Sequence, residues 1–338
     1  MTEIECDSGI QAGNAIGDKP ILELVGVKKT FTVQKGFFSG AQLQIHALDG
    51  VTLTVYQGET LGLVGESGCG KSTLGRLVMH LDEPTEGRIL FHGKDIFSYD
   101  RTALKDYFKK VQLIFQDPQA SLNPRKTAGS AVGEPLLIHG TVPRDQVEQR
   151  VAEIMATVGL SREQMGRYPH EFSGGQRQRV GIARAVSLKP ELIIADEPVS
   201  SLDVSIQAQI LNLLKQLQQS FGLTYIFITH DLGVVRHMSD RIAVMYLGRI
   251  VELANNQDLY DHPIHPYTRA LFSAVPVPHP GRPPKRILLK GDTSGRPYRF
   301  AGCPFYPRCP DRIEVCQKSA PELIETSNGH FVSCHLIC

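Results

Sequence analysis

A glycine-rich stretch carries the first chemical signal in the chain. Residues 65–72 read GESGCGKS, the complete GxxxxGK[ST] pattern of a phosphate-binding loop. Glycines at these positions let successive backbone N–H groups converge on phosphate oxygens, and the start of a following helix adds its positive dipole end. Lys71 is predicted to reach the β- and γ-phosphates of a nucleotide, and the Ser72 hydroxyl is predicted to ligate Mg²⁺. The predicted nucleotide contacts in this loop are Gly65, Ser67, Gly68, Cys69, Gly70, Lys71, Ser72 and Thr73, with Cys69 interpreted as a small space-filling residue.

Two adjacent carboxylates form a second candidate site. Asp196 and Glu197 directly follow the uncharged run Leu192–Ala195. Asp196 is predicted to hold Mg²⁺, directly or through water, and Glu197 suits the role of a general base that polarises the attacking water. His230 ends the apolar stretch TYIFITH and is predicted to hydrogen-bond the γ-phosphate or that water.

A second phosphate-binding helix start lies about a hundred residues beyond the first loop. Ser173 is followed by Gly174 and Gly175, and a serine with two glycines at a helix N-terminus can bind an anion. One ATP cannot readily use both helix starts of a single subunit. We therefore expect a head-to-tail dimer, in which Ser173–Gln176 of one subunit caps the γ-phosphate bound by the other.

Cysteines are concentrated at the C-terminal end of the chain. Five of the seven lie within residues 303–338. Their spacing contains no CxxC pair, so an ordinary zinc ribbon is a poor match. Four thiolates on a loop-rich segment can still surround a tetrahedral zinc ion or a [4Fe-4S] cluster, and thiols without a metal remain a third possibility.

The elements that position these residues follow from hydrophobic patterns. Thr60–Val64, Leu192–Ala195 and the stretch ending at His230 are predicted buried strands of a parallel sheet. A helix is predicted from Thr73 to about His80. Two further helices are predicted from one-sided apolar faces, the first capped by Gly159: Val147, Val151, Ile154, Met155 and Val158 for one, and Val180, Ile182, Ala183 and Val186 for the other.

Taken in order, these motifs resemble the nucleotide-binding subunit of ABC transporters over roughly residues 20–338. The resemblance implies an α/β fold of the ABC-type P-loop NTPase class, with a RecA-like core, an antiparallel β subdomain and a helical subdomain at about 117–180. It also implies that Gln116 senses Mg²⁺ and the attacking water, that Asp203 lies at the dimer interface near the opposite active site, and that Phe31 stacks on adenine. The family more often has tyrosine at the last position.

Two further stretches resemble the ATPase subunits of oligopeptide and dipeptide importers. These are FQDPQASLNPR after Gln116 and HPIHPYTRALFSAVP at residues 262–276, and other motif details are closer to the F-type than to the D-type subunit. The resemblance implies a homologous second ATPase subunit, two membrane permease subunits and an extracytoplasmic solute-binding protein, with the chain at the cytoplasmic face of the membrane. A homodimer stays open, and so does the cargo: a dipeptide, a longer peptide, nickel or another small solute.

The importer resemblance also favours one interpretation of the cysteines. It implies a [4Fe-4S] cluster held by Cys303, Cys309, Cys316 and Cys334, with zinc as the alternative and Cys338 as a competing fourth ligand. A soluble nucleic-acid-linked ABC ATPase is the alternative class. The segment between Gln116 and Ser173 is too short for the long coiled coil of chromosome and repair ATPases, and only one P-loop is present.

Length and composition set the domain expectation. The 338 residues carry a net charge of +1, which gives no strong pull toward nucleic acid, and no run of eighteen apolar residues predicts a transmembrane helix. We predict a flexible N-terminal tail at 1–19, without the apolar region of a secretory signal, an ABC ATPase domain at 20–262 and a small loop-rich extension with the cysteines at 263–338.

Overall fold

A computed structural model describes residues 19–34, 42–117, 121–274, 287–289, 301–327 and 329–337. Nearly all of the predicted N-terminal tail, the proline-rich residues 275–286 and Cys338 lie outside these ranges. The strands are β1 (Pro20–Gln34), β2 (Gln42–Tyr56), β3 (Thr60–Val64), β4 (Glu86–Phe91), β5 (Lys94–Asp95), β6 (Val111–Ile114), β7 (Leu192–Asp196), β8 (Thr224–Ile228), β9 (Arg241–Tyr246), β10 (Arg249–Asn255), β11 (Ile324–Ser327) and β12 (His330–Val332).

The α-helices of the described ranges lie between and after these strands. They are α1 (Lys71–Val78), α2 (Arg101–Lys110), α3 (Ala128–His139), α4 (Val147–Thr157), α5 (Gly174–Val186), α6 (Val204–Phe221), α7 (Leu232–Met238), α8 (Asn256–Asp261), α9 (Pro266–Phe272) and α10 (Val315–Lys318). None of the helices within those ranges is long and apolar enough to cross a membrane.

The main sheet places the predicted catalytic segments side by side. In the described part of the chain its order is β11-β12-β10-β9-β3-β8-β7-β6, and the pairs from β9 to β6 are parallel. All residues of β3 and β8 are buried, as expected for strands covered on both faces. Because neighbouring parallel strands end at the same edge, the segments after β3, β8, β7 and β6 meet there.

A second, four-stranded sheet has the order β2-β1-β4-β5 and is antiparallel throughout. Apolar side chains of β1 and β2, including Leu24 and Leu53, share one buried cluster with Leu74 and Leu77 of α1. Their burial docks this sheet beside the glycine-rich loop. The predicted α/β core with an antiparallel subdomain is confirmed.

A group of helices forms the predicted helical subdomain. Helices α3, α4 and α5 pack against one another, and Val151, Ile154 and Met155 of α4 are buried in their common cluster. Gly159 follows α4 with a positive φ of 75°, which fits its expected role after the helix. The apolar face predicted for α5 is also buried.

The C-terminal extension is more regular than the sequence predicted. Strand β12 pairs with β10, and β11 pairs with β12, so the extension continues the main sheet. The fully buried Glu252 carboxylate of β10 accepts hydrogen bonds from the backbone N–H groups of Ile264 and His265 at 2.7 and 3.0 Å and contacts His330 Nε2 at 2.8 Å. A buried carboxylate needs such hydrogen-bond partners, and the open edge of β10 favours pairing with another strand. The extension is therefore partly a sheet, whereas the sequence predicted a loop-rich segment.

Candidate active site

The glycine-rich loop follows β3 in a conformation that only glycine fits well. Gly70 has φ 112°, and a Cβ there would lie 2.4 Å from the carbonyl oxygen of Ala47. At Gly65 a Cβ would lie 2.2 Å from the carbonyl oxygen of Met245. The loop is therefore pressed against β2 and β9, and a side chain at either position would displace its backbone. Ser67, Gly68 and Thr73 complete this loop and the first turn of α1.

Lys71 is folded back over the loop. Its side chain is buried, with the residue 6% exposed, and Nζ donates to the carbonyl oxygens of Gly65 at 2.7 Å and Glu66 at 3.0 Å. Cys69 Sγ lies 3.6 Å from the same ammonium. Burial raises the pKa of the Cys69 thiol despite this positive neighbour, which fits a space-filling residue better than a reactive one.

Ser72 and Asp196 bring two oxygen atoms together beside the loop. Ser72 Oγ donates to Asp196 Oδ1 at 3.2 Å. Burial raises the pKa of Asp196, and the neighbouring Glu197 adds to that effect, whereas the Ser72 hydrogen bond and Lys71 act against it. A hydroxyl and a carboxylate are the oxygen ligands that Mg²⁺ prefers when phosphates and water complete its shell. This pair therefore fits the predicted metal contact.

Glu197 is held between the other two predicted catalytic residues. Gln116 Nε2 donates to its Oε2 at 2.8 Å, and His230 Nδ1 lies 2.9 Å from its Oε1. The Glu197 side chain is only 16% exposed. Its φ is 45°, an uncommon left-handed value for a residue with a side chain, and its N–H donates to the carbonyl oxygen of Ile228 at 2.9 Å. The edge formed by β6, β7 and β8 thus fixes a carboxylate with defined orientation.

The second predicted anion site lies at the start of α5. Ser173 Oγ accepts from the Gln176 N–H at 3.3 Å, and Gln176 Oε1 accepts from the Ser173 N–H at 3.1 Å, a reciprocal capping box. Gly174 begins the helix. At Gly175 a Cβ would lie 2.5 Å from Ile206 Cγ2 of α6, so glycine permits the close approach of these helices. Ser173 is exposed and faces away from its own core.

Two other predicted contacts lie on exposed surfaces. Asp203 occupies the N-cap position of α6 without a side-chain cap bond, and the next residue, Val204, is 81% exposed. Phe31 lies on β1 and is 37% exposed, with Lys29 Nζ 5.0 Å from its ring centroid. Both positions are accessible to a partner molecule or a ligand.

The predicted cysteine cluster is not supported. Cys303, Cys316 and Cys334 are buried and Cys309 is half-buried, and the described cysteines form no disulfide. Cys303 interacts electrostatically with Cys316 and Cys334, yet no three His, Cys, Asp or Glu side chains of the described ranges are grouped so that they could hold a metal ion. Burial raises the pKa of Cys309 to about 11, which favours its neutral thiol. The residues therefore do not fit an iron–sulfur or zinc site as they stand.

Sequence reasoning missed two side chains that contact the glycine-rich loop. Arg308 forms a two-pronged ion pair with Glu66, and the Tyr267 hydroxyl accepts a hydrogen bond from the Glu66 N–H. Tyr267 lies in the stretch HPIHPYTRALFSAVP, whose resemblance to peptide importers was noted without a role for the tyrosine. No pattern in the sequence marks Arg308.

Comparisons with known proteins agree with this geometry. Residues 48–200 match the ABC transporter family, and residues 251–316 match the C-terminal region of oligopeptide/dipeptide transporters. A dimeric ATP-binding cassette solved in a post-hydrolysis state with ADP and Pi is 32% identical, with a TM-score of 0.61, covering 70% of this chain and 98% of that chain. CbiO1 of Clostridium perfringens, part of an ABC transporter complex, is 28% identical, with a TM-score of 0.62, covering 72% and 92%.

Curated relatives match nearly the whole chain. The oligopeptide transport ATP-binding protein AppF of Bacillus subtilis is 53% identical over 95% of this chain and 99% of its own length. The oligopeptide transport protein OppF of Salmonella typhimurium is 49% identical over 94% and 96%, and the dipeptide transport protein DppF of Haemophilus influenzae is 46% identical over 93% and 96%. The chain belongs to the family of ATP-binding subunits of oligopeptide and dipeptide ABC transporters.

Proposed function

We propose that this subunit hydrolyses ATP in a site completed by a second ATPase subunit, and that the resulting closing and opening powers uptake of di- or oligopeptides. The observation that carries the proposal is the Glu197 carboxylate, fixed between Gln116 and His230 at the same sheet edge as the phosphate-binding loop. A positioned carboxylate with one face open to solvent can accept a proton from water.

Each residue of the site has its own role in the proposed hydrolysis step. Glu197 accepts the proton of the attacking water, and Gln116 and His230 keep its two oxygens oriented. His230, with an exposed side chain, also reaches the γ-phosphate or the water. Lys71 leaves its loop carbonyls to contact the β- and γ-phosphates. Mg²⁺ held by Ser72 and Asp196 would neutralise charge on the phosphate oxygens.

The second subunit supplies the other half of the site. Ser173–Gln176 at the start of α5, with Ser173 and Gly174 exposed, offers backbone N–H groups and a hydroxyl to a partner's γ-phosphate. Exposed Asp203 and Val204 provide further interface contacts. The solved relative described as dimeric supports this arrangement. The F-type sequence character favours a homologous second ATPase subunit over a second copy of this chain.

The relatives' names suggest the cargo, and the resemblance to peptide importers suggests the membrane partners. Oligopeptide and dipeptide transport proteins are similar to this chain over almost its full length. We assign it two permease subunits and an extracytoplasmic peptide-binding protein, with the ATPase bound to the permeases at the cytoplasmic face. Peptide is the proposed cargo.

Reconstitution in liposomes tests this proposal. The chain is assembled with its permease pair, second ATPase subunit and binding protein, and ATP hydrolysis is measured with di- and oligopeptides or with a nickel complex. Peptides should stimulate hydrolysis only when the binding protein is present. Stimulation by nickel but not by peptides would replace the proposed cargo, and hydrolysis indifferent to every solute would refute the transport role.

The iron–sulfur cluster remains a hypothesis of the sequence alone. Its basis is the cysteine pattern and the resemblance to peptide importers; the described ranges contain no group of three side chains that could hold a metal ion, and no catalytic step depends on the cluster. Iron content and visible absorption of anaerobically purified protein test it. A cluster requires about four irons per chain, whereas colourless, iron-free protein contradicts it and a zinc-loaded protein supports the alternative metal.

A further inference from the structure

The C-terminal extension contacts Glu66, the second residue of the phosphate-binding loop. Arg308 Nη1 donates to Glu66 Oε2 at 2.7 Å, and Nη2 donates to Glu66 Oε1 at 2.9 Å. The Arg308 side chain is only 7% exposed, and its guanidinium lies 5.8 Å from the ring centroid of Tyr246. The Glu66 side chain is 32% exposed, so the pair is buried on the arginine side only, but its two parallel hydrogen bonds make it a stronger arrangement than a single surface contact.

A second contact fixes the backbone of the same residue. The Glu66 N–H donates to the Tyr267 hydroxyl at 3.0 Å. Tyr267 is fully buried, and its ring packs against Tyr246 and Phe305 at centroid distances of 4.7 and 5.5 Å. The tyrosine hydroxyl therefore sits on a rigid aromatic base that the extension helps to build.

The extension anchors Tyr267 and Arg308 by independent routes. Tyr267 lies in the first turn of α9, where His265 Nδ1 accepts from the Tyr267 N–H at 3.0 Å. Arg308 lies in a tight turn, where its N–H donates to the carbonyl oxygen of Phe305 at 2.9 Å. Two separate segments thus meet at one loop residue.

Glu66 also contacts the catalytic lysine. Its carbonyl oxygen accepts from Lys71 Nζ at 3.0 Å, while its carboxylate and N–H are held by the extension. The Glu66 N–H shares its peptide group with the Gly65 carbonyl oxygen, which accepts from Lys71 Nζ at 2.7 Å, so a peptide group that receives the lysine is held from outside the ATPase motifs. Any shift of Glu66 would move an acceptor of the ammonium that must contact phosphate.

We infer that Arg308 and Tyr267 are positioning residues of the nucleotide site, so that the C-terminal extension forms part of the ATP-binding machinery. Arg308 neutralises a carboxylate at the mouth of a site for a highly negative ligand. Without this cation, Glu66 would repel ATP and would be released from its orientation. The inference rests on the proposed ATPase function and adds residues to its site.

Substitutions that separate charge from packing test the inference. The set is Arg308→Met, Glu66→Gln, the double variant and Tyr267→Phe, each in the full chain. Arg269→Met is the matched control, because Arg269 forms an exposed ion pair with Asp311 in the same extension at 2.7 Å, away from the loop. ATP dissociation constants, KM, kcat and melting temperature are measured for all variants.

Arg308→Met should raise the ATP dissociation constant and KM by about tenfold, with a much smaller change in kcat. Adding Glu66→Gln should restore most of the affinity, because the repelling charge is then absent. Tyr267→Phe, which keeps the ring, should weaken ATP binding about threefold. Arg269→Met should leave ATP affinity unchanged.

Two results would overturn the inference. One is an ATP affinity in Arg308→Met and Tyr267→Phe equal to that of the Arg269→Met control. The other is a double variant whose loss of ATP affinity equals the product of the losses in the two single variants. Such a result would mean that Arg308 and Glu66 act independently. Failure of the unsubstituted chain to bind ATP would instead refute the proposed function. If Arg308→Met does not fold, the ATP affinity of Tyr267→Phe compared with that of Arg269→Met still decides.

Discussion

At the scale of residues, hydrogen bonds to neighbouring groups hold the side chains of the site in position. Glu197 has one partner on each carboxylate oxygen, Gln116 and His230. Lys71 has two carbonyl acceptors within its own loop. In the proposed mechanism, Glu197 accepts a proton, and the two carbonyl oxygens satisfy the buried Lys71 ammonium until phosphate oxygens replace them.

Replacement of that ammonium tests the loop directly. Lys71→Ala should weaken ATP binding by about 10- to 100-fold, because a charge-assisted contact to the β- and γ-phosphates is lost. Titration with a fluorescent ATP analogue measures this change. Lys109→Ala is the control, because Lys109 pairs with Asp106 at 2.9 Å on an exposed helix surface. Unchanged nucleotide affinity in Lys71→Ala would refute the loop assignment.

These residues were readable from the sequence because each follows a short, fully apolar run. Asp196 is the last residue of β7 and Glu197 follows it, and His230 comes two residues after β8, where side chains of neighbouring parallel strands must meet. Arg308 was not predictable in this way. Its partner Glu66 lies far away in sequence, and only the tertiary structure brings the two together.

At the scale of elements, the C-terminal extension depends on one buried histidine. His265 caps α9 through Nδ1, and its N–H donates to Glu252 at 3.0 Å. Burial lowers the pKa of His265 to about 4; the Glu252 charge opposes this shift, and Arg269 adds to it. Burial and the acceptor role of Nδ1 therefore both favour the neutral imidazole in the folded protein.

This preference predicts a pH-dependent loss of stability. An unfolded chain binds a proton at His265 below its ordinary pKa of about 6.5, whereas the folded chain resists protonation down to about 4. His265 should therefore cost up to about 3 kcal/mol as pH falls from about 6.5 to about 4. His265→Asn retains a cap acceptor but does not titrate, so its melting temperature should fall less between about pH 7, just above that window, and about pH 5, inside it.

The exposed His262 of the same segment supplies the control. His262→Asn should keep the pH dependence of the unsubstituted chain. If the melting temperature of His265→Asn changes with pH as steeply as that of the unsubstituted chain, His265 is not the cause of the pH-dependent loss of stability.

Some strands and helices could be predicted from the sequence, and others could not. The buried runs of β3, β7 and β8 and the apolar faces of α4 and α5 were clear from periodicity. Strands β11 and β12 were not predicted. All residues of β11 (Ile324–Ser327) are exposed, and only Ile324 is apolar. The pairing of β11 and β12 therefore follows from the open edge of β10, which β12 extends, and not from a hydrophobic pattern in β11.

At the scale of the whole molecule, the C-terminal extension is joined to the ATPase core. The extension adds strands to the main sheet and contacts the P-loop through Arg308 and Tyr267. The other phosphate-binding helix start, at Ser173, remains exposed for a second subunit. In the proposed dimer, each of these two surfaces supplies one half of a shared ATP site.

The central claim, ATP-driven closure with Glu197 as the base, is tested most directly by light scattering of Glu197→Gln. The variant is measured with ATP or ADP, alone and mixed with the second ATPase subunit, alongside ATP hydrolysis. Glu191→Gln is the control, because Glu191 precedes the same strand but pairs with Lys110 at 2.8 Å at the opposite end.

We expect hydrolysis by Glu197→Gln to fall by about 10²- to 10⁴-fold, and ATP, but not ADP, to lock it into a stable complex with the second subunit. Glu191→Gln should hydrolyse ATP normally and form no lasting complex. Normal turnover in Glu197→Gln, or the absence of any ATP-dependent association, would contradict the account.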